Sequence, residues 1–253
     1  FDFSNLLGGL LEITLPQLVM VLVGLLLIYL GIFKDYEPTL LIPIGFGCIL
    51  GNLPVAANMI GEHGLFGVLY AAGISNELFP LLIFLGVGAM IDMRPLLSQP
   101  IMFIMGAFAH LGIFATLVIA LLLGFNLAEA TAIGMIGAID GPTVIYVNGK
   151  LGHLFETPGL AAAIAVTAYS YMSLVPIIQP PLMRLFTTKS ERAIRMEYTP
   201  RPVSRTTVIL FPILITVIAG IFLPEAAPLI ATLMLGNLLK ESEVVPGLVE
   251  TSK

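Results

Sequence analysis

Hydrophobic positions along this chain fall in long, unbroken runs rather than in short alternating ones. Five stretches reach or approach the roughly 20 helical residues that cross a hydrocarbon core of about 30 Å. They are Ile13–Phe33, Pro38–Gly61, Pro95–Ala128, Pro158–Met183 and Thr206–Pro224, and His110 is the one titratable ring among the apolar residues of the third. Three further apolar segments are short or interrupted: Leu78–Ile91, Ala130–Asn148 (split by Asp140) and Ala226–Leu239. Runs of this length do not alternate as barrel strands do. The pattern predicts an all-α, polytopic transmembrane helical bundle. The Gly-rich stretch Glu62–Asn76 is expected to be an exposed or interfacial loop.

The polar positions orient these spans, because cytoplasmic loops carry the excess of Lys and Arg. Arg184, Lys189, Arg192, Arg195, Arg201 and Arg205 crowd one segment, six of the eleven basic residues. With that segment inside, and with Ala130–Asn148 entering and returning on one side, Lys34, Arg94 and Lys240 also fall inside and only Lys150 falls outside. A full crossing at Ala130–Asn148 would put Lys34 and Arg94 outside. The charges therefore favour a broken or re-entrant helix at Asp140, buried in protein or lining a cavity. The chain reads as a first membrane repeat with the ion-site segment (1–183), a basic cytoplasmic loop (184–205) and the start of a second membrane repeat (206–253), in the inner cell membrane.

Composition agrees: 58% of the 253 residues are hydrophobic and 11% charged, against about 25% charged in a soluble domain. The net charge of −5 gives no basic face for nucleic acid. Cys48 is the single cysteine, so no intrachain disulfide forms. Phe1–Leu11 lacks the basic start of a cleavable signal peptide. HExxH, P-loop and GxSxG motifs are absent from the sequence, which leaves soluble-enzyme chemistry without a foothold.

Two parts of the chain share a plan. Gly31-Ile32-Phe33 ends the first span and Gly220-Ile221-Phe222 nearly ends the one at Thr206–Pro224. In each case a proline follows (Pro43, Pro228), seven residues before Leu50-Gly51-Asn52-Leu53 and Leu235-Gly236-Asn237-Leu238. The topology above runs one copy outward and the other inward, an inverted repeat of the kind that builds secondary transporters around a midplane site. Only 17 residues follow Gly236, whereas Asp140 lies 89 residues after Gly51. The chain is thus expected to stop within the second repeat, its natural sequence continuing past Lys253 with a second Gly-rich broken span.

Gly134-Met135-Ile136-Gly137-Ala138-Ile139-Asp140-Gly141-Pro142-Thr143 is the strongest candidate for chemistry. A carboxylate near midspan costs roughly 2.5–3.5 kcal/mol on insertion scales. Gly-Pro directly after it removes a helix donor and frees carbonyl oxygens. Asp140, Gly141 with its freed backbone, and the Thr143 hydroxyl form a hard-oxygen set suited to Na⁺, and Gly134, Gly137 and Gly141 admit a neighbouring helix. The competing reading is a structural Asp paired with a basic residue. Tyr169 and Tyr171 belong either to an interfacial belt or, since Tyr171 lies near the middle of its span, to a buried hydrogen bond in which Asp140 is a candidate partner. His110 fits a packed or hydrogen-bonded span histidine. Asp92 is expected to pair with Arg94 at a helix end. Asn52 and Asn237 are either ion ligands or polar groups that pack helices.

The run Gly137–Thr143, followed by Ala168-Tyr169-Ser170-Tyr171-Met172 and Val175-Pro176-Ile177-Ile178-Gln179-Pro180-Pro181, resembles the β subunit of sodium-pumping biotin-dependent decarboxylases, which act on oxaloacetate, methylmalonyl-CoA, malonate or glutaconyl-CoA. Glu37-Pro38, Leu41–Gly47 and Phe84–Met90 are similar to family sequence too. The resemblance implies a membrane subunit that decarboxylates carboxybiotin, consumes a proton and exports Na⁺. It implies catalytic roles for Asp140, as Na⁺ and coupling residue, and for Tyr171 as proton relay. Implied cofactors are Na⁺ and a biotin carried on a partner. Implied partners are a biotin-carrying carboxyltransferase α subunit and a small membrane γ subunit, with a homo-oligomer also possible. The residues alone leave a Na⁺/H⁺ antiporter open, because it too needs a buried carboxylate and a broken helix. The acid or acyl-CoA is not readable from a subunit that would meet only carboxybiotin.

Overall fold

A computed structural model describes residues 13–36, 38–54, 59, 61–171, 175–195 and 202–252. Among them the regular structure is helical throughout, with no strand. They fall into two compact units, Phe1–Ala72 with Val166–Ile194 and Gly73–Ala165 with Arg195–Lys253.

In the first unit, α1 (Leu15–Phe33) is launched by Thr14, whose backbone N–H donates to the Gln17 side chain at 2.8 Å. It turns back into α2 (Pro38–Asn52). The hairpin closes on two glycines: a Cβ on Gly24 would lie 2.6 Å from the Gly45 carbonyl oxygen, and one on Gly45 would lie 2.6 Å from that of Gly24. Backbones this close are how helices bind where no hydrophobic effect separates helix from lipid. Leu15, Phe33 and other outward apolar side chains are mostly exposed, as lipid-facing residues are. The helix α3 (Leu65–Leu69) continues as a π-turn over Tyr70–Ile74.

The second unit is built around α4 (Leu78–Met90). After it come α5 (Arg94–Ser98), α6 (Ile101–Ala109), α7 (Leu111–Leu122), α8 (Leu127–Met135) and α9 (Gly141–Leu151). Next in the chain are α10 (Leu160–Ser170), which crosses the boundary between units, α11 (Val175–Phe186) and α12 (Lys189–Ala193) of the first unit. The second unit is completed by α13 (Arg205–Phe222), α14 (Ala227–Ser242) and α15 (Pro246–Ser252). Its tightest crossing is α4 on α14, where a Cβ on Gly88 would meet the Leu233 carbonyl oxygen at 1.9 Å and one on Gly236 that of Leu85 at 2.0 Å.

The helices α1, α6–α7 taken together, and α13 are long and apolar enough to cross a membrane, and the chain is a multi-pass membrane protein. One expectation needs correction. Glu62–Asn76 is not a loop but mostly helix, because its glycines serve close approach: a Cβ on Gly67 would meet the Gly61 oxygen at 2.2 Å and one on Gly73 the Phe79 ring at 2.3 Å. Leu65–Ile74 and Leu78–Met90 reach span length only taken together, across a break at 75–77. The Pro38–Gly61 run is helical from Pro38 to Asn52, and Pro158–Met183 contributes α10 and the start of α11, with 172–174 outside the described residues. The two segments that share the Leu-Gly-Asn-Leu plan each lie in a pair of contacting helices, α1–α2 and α13–α14.

Candidate functional site

The break expected at Asp140 is present. The helix α8 starts on Asn126, whose side chain accepts from the Glu129 backbone N–H at 2.9 Å while Glu129 accepts from that of Asn126 at 3.0 Å, a reciprocal cap. It tightens into a 3₁₀ turn at Ile136–Ala138. Ile139 then takes a left-handed conformation (φ 57°). A β-branched residue there is strained by about 1–3 kcal/mol, so the surrounding structure holds this turn against its own preference. Asp140 is extended (φ −137°, ψ 95°) at the N-cap position of α9 and makes no side-chain cap bond there; Pro142, second in the helix, suits its first turn with a fixed φ.

Asp140 thus sits between the C-terminal end of one half-helix and the N-terminal end of another. The first presents carbonyl oxygens and partial negative charge, the second N–H groups and partial positive charge. The Thr143 hydroxyl donates to Asp140 Oδ2. A half-buried carboxylate, a hydroxyl one turn on and a frayed helix end are together able to hold a small hard cation or a proton. Gly134 brings α8 against α7: a Cβ there would lie 3.1 Å from the Ile113 oxygen.

Beyond Thr143, one face of α9 carries Tyr146 and Lys150. The Tyr146 hydroxyl donates to the Glu225 carbonyl at 3.0 Å. The Lys150 ammonium lies 3.2 Å from Glu77 and 5.6 Å over the Tyr146 ring. The hydrogen bond and charge of Glu77 push the Lys150 pKa above the ordinary lysine value. These residues had a legible signal, the spacing 143, 146, 150 along one helix face. Glu129 was also passed over although it is 2% exposed. Its carboxylate accepts from the backbone N–H groups of Glu156 (2.9 Å) and Thr157 (2.6 Å) and so ties the following turn to the start of α8.

The other candidates are placed as follows. Tyr169 lies in the last turn of α10 and Tyr171 directly follows the helix, its N–H bonded to the Thr167 carbonyl at 3.0 Å; both are half-buried in the first unit, whereas Asp140 belongs to the second. His110 joins α6 to α7 with Nδ1 2.7 Å from the Gly106 oxygen, a local bond as expected of a span histidine. Asn52 donates to its own helix at Cys48 O (2.8 Å). Asn237 is fully buried and crosses to α4, donating to the Ile91 carbonyl at 3.1 Å. The expected Asp92–Arg94 ion pair is corrected: Asp92 accepts from the Arg94 backbone N–H (3.0 Å), and the guanidinium reaches Glu241 at 2.7 Å.

Residues 16–253 match the family model described as the Na⁺-transporting oxaloacetate decarboxylase beta subunit. The chain is 50% identical over 246 residues to methylmalonyl-CoA decarboxylase subunit beta of Veillonella parvula, an alignment covering 97% of this chain and 63% of that protein. It is 48% identical to glutaconyl-CoA decarboxylase subunit beta of Acidaminococcus fermentans, over 97% of this chain and 64% of the relative. With the oxaloacetate decarboxylase beta chain of Klebsiella pneumoniae it shares 39% over 303 aligned residues, 96% of this chain and 69% of the relative. The chain therefore spans somewhat less than two thirds of the first two relatives. The match of residues 16–253, together with these relatives, places the chain in the family of Na⁺-transporting decarboxylase beta subunits.

Proposed function

We propose that this chain forms the membrane part of a Na⁺-translocating, biotin-dependent decarboxylase and that Asp140 is its coupling residue. The observation that carries the proposal is Asp140 itself, a carboxylate in the break between two half-helices with Thr143 donating to it. The family match supports this reading over a Na⁺/H⁺ antiporter.

Carboxybiotin, delivered on a partner subunit, supplies the carboxyl group whose release drives the cycle and takes up a proton. The residues of this chain handle the ion and the proton. Na⁺ at Asp140 neutralises the carboxylate in a site of low dielectric, and a proton neutralises it equally well, so the two compete for one group. Thr143 fixes one carboxylate oxygen and leaves the other free, and Gly141 brings backbone close. Tyr171 is proposed as the proton relay and Tyr169 as a lesser candidate beside it, while Asn52 and Asn237 are lesser candidates for contact with the ion away from Asp140. We further propose an inverted repeat about this site, a carboxyltransferase α subunit and a small γ subunit as partners, and residence in the inner cell membrane with 184–205 cytoplasmic.

The test uses the whole complex in proteoliposomes. Asp140→Asn keeps size and removes charge, so decarboxylation and Na⁺ uptake should both collapse. Tyr171→Phe should assemble normally with a lower turnover and an altered pH profile. Wild-type Na⁺ uptake by Asp140→Asn would sink the proposal, and avidin capture without a biotinylated partner would redirect it to the antiporter.

A further inference from the structure

The end of α4 and the last turns of α14 carry a second cluster that the Asp140 site does not use. Asn237 and Glu241 lie one turn apart on α14, on the same face, and are 0% and 3% exposed. Asn237 Nδ2 is committed to the Ile91 and Gly88 carbonyls of α4 and its end, at 3.1 and 3.5 Å. Glu241 Oε2 is committed to Arg94 at 2.7 Å. The remaining oxygens, Asn237 Oδ1 and Glu241 Oε1, are buried and accept no hydrogen bond among the described residues. Buried acceptors without donors are costly, and each calls for a cation or donor beside it.

One cation already marks the place. The Lys240 ammonium donates to the Ile91 carbonyl at 2.8 Å and to that of Met90 at 3.3 Å, and lies 3.9 Å from Glu241 Oε1. It shares the Ile91 oxygen with the Asn237 amide. The carbonyls belong to the C-terminal end of α4, where the helix dipole adds negative potential. Arg94 offsets the full charge of Glu241, so a further monovalent cation is favoured by the partial negative charge of the helix end and by the carbonyl and carboxylate oxygens it meets. All the donors are hard oxygens, a set that suits Na⁺ and not a soft metal. Lys240 is held by a four-carbon stem and keeps a partly exposed side chain, so it can leave for water without unfolding α14.

We propose that Asn237, Glu241 and the Met90 and Ile91 carbonyls form a monovalent-cation site in which the Lys240 ammonium is a tethered occupant that Na⁺ displaces. Arg94 holds the far carboxylate oxygen and so aims Oε1 at the site. Lys240 and Arg94 lie on the side that the charge pattern makes cytoplasmic, from which the proposed pump draws Na⁺. The site's role as the entry station rests on that pumping reading; its binding of Na⁺ does not.

The experiment separates the two. Binding of radiolabelled Na⁺ is measured on the purified whole complex carrying Asp140→Asn, which removes the proposed main ligand. Adding Lys240→Met deletes the tethered competitor, whose effective concentration is of millimolar order or above. The apparent Na⁺ affinity at the remaining site should rise about tenfold, and the melting temperature in Na⁺ should exceed that in choline. Adding Glu241→Gln to that variant should abolish both effects, while Lys240→Arg should keep Na⁺ out. Assembly is checked by melting in saturating Na⁺, and Asn237→Leu in the Lys240→Met background gives a second way to lose the affinity. No Na⁺ binding, or binding indifferent to Lys240 and Glu241, overturns the proposal. Failure of the pump reading would instead show as Na⁺ uptake that survives Asp140→Asn.

Discussion

Asp140 is tolerable inside a membrane only while something offsets its charge. An unpaired carboxylate at midspan costs roughly 2.5–3.5 kcal/mol even on the gentlest scales. The structure supplies three offsets from local sequence: the Thr143 hydroxyl, the α9 N-terminus and the break itself. Of these only the hydroxyl can be removed without touching the backbone. A hydrogen bond to a charged group contributes about 1.5–3 kcal/mol, and a factor of ten in affinity corresponds to about 1.4 kcal/mol. Because the Thr143 oxygen is also a proposed Na⁺ ligand, Thr143→Val should raise the Na⁺ concentration for half-maximal decarboxylation about tenfold, and Thr143→Ser should restore it. Equal Na⁺ dependence in Thr143→Val and wild type would remove Thr143 from the site.

At the scale of elements, glycine decides where helices touch. Gly236 and Gly88 let α14 and α4 cross with each backbone against the other's carbonyls. A methyl group 2.0 Å from a carbonyl oxygen cannot be absorbed by a rotamer change, so Gly236→Ala must spread the crossing and disturb the Asn237 bond beside it. Overpacking of this kind costs about 1–3 kcal/mol. Gly220 faces open space in α13, so Gly220→Ala should be neutral or stabilise through helix propensity. A lower melting temperature for Gly236→Ala alone is expected, and equal values for the two would show the crossing to be loose. The same physics explains what the sequence concealed. Glycine at 61–73 looked like loop composition because pattern cannot distinguish a flexible glycine from one that admits a neighbour. The break at Asp140 was legible because Gly141-Pro142 states it locally. The partner of Arg94 was not, since Glu241 lies 147 residues away and nothing local points to it.

At the scale of the whole molecule, every directional statement depends on which side of the membrane the basic segment occupies. Six of the eleven Lys and Arg residues fall at 184–205, and a bias of this size sets orientation because such loops resist translocation. Within it, Thr188 and Glu191 form a reciprocal cap, with the Glu191 backbone N–H donating to Thr188 Oγ1 (3.3 Å) and the Thr188 N–H to Glu191 (2.7 Å). The backbone N–H and hydroxyl of Thr188, both donating to Glu191, hold its carboxyl below the usual carboxylate range, and Ser190 in the short helix α12 is exposed. Cys48, by contrast, is half-buried and its thiol donates to the Met20 carbonyl at 3.3 Å. A background with Cys48 replaced, carrying Ser190→Cys, should react with a membrane-impermeant maleimide in inside-out vesicles and stay unlabelled in intact cells. Labelling of intact cells would invert the topology. Lys150 and Glu77 would then face the cytoplasm, the Lys240 site would become an exit, and Na⁺ would have to reach Asp140 along the opposite face of the break.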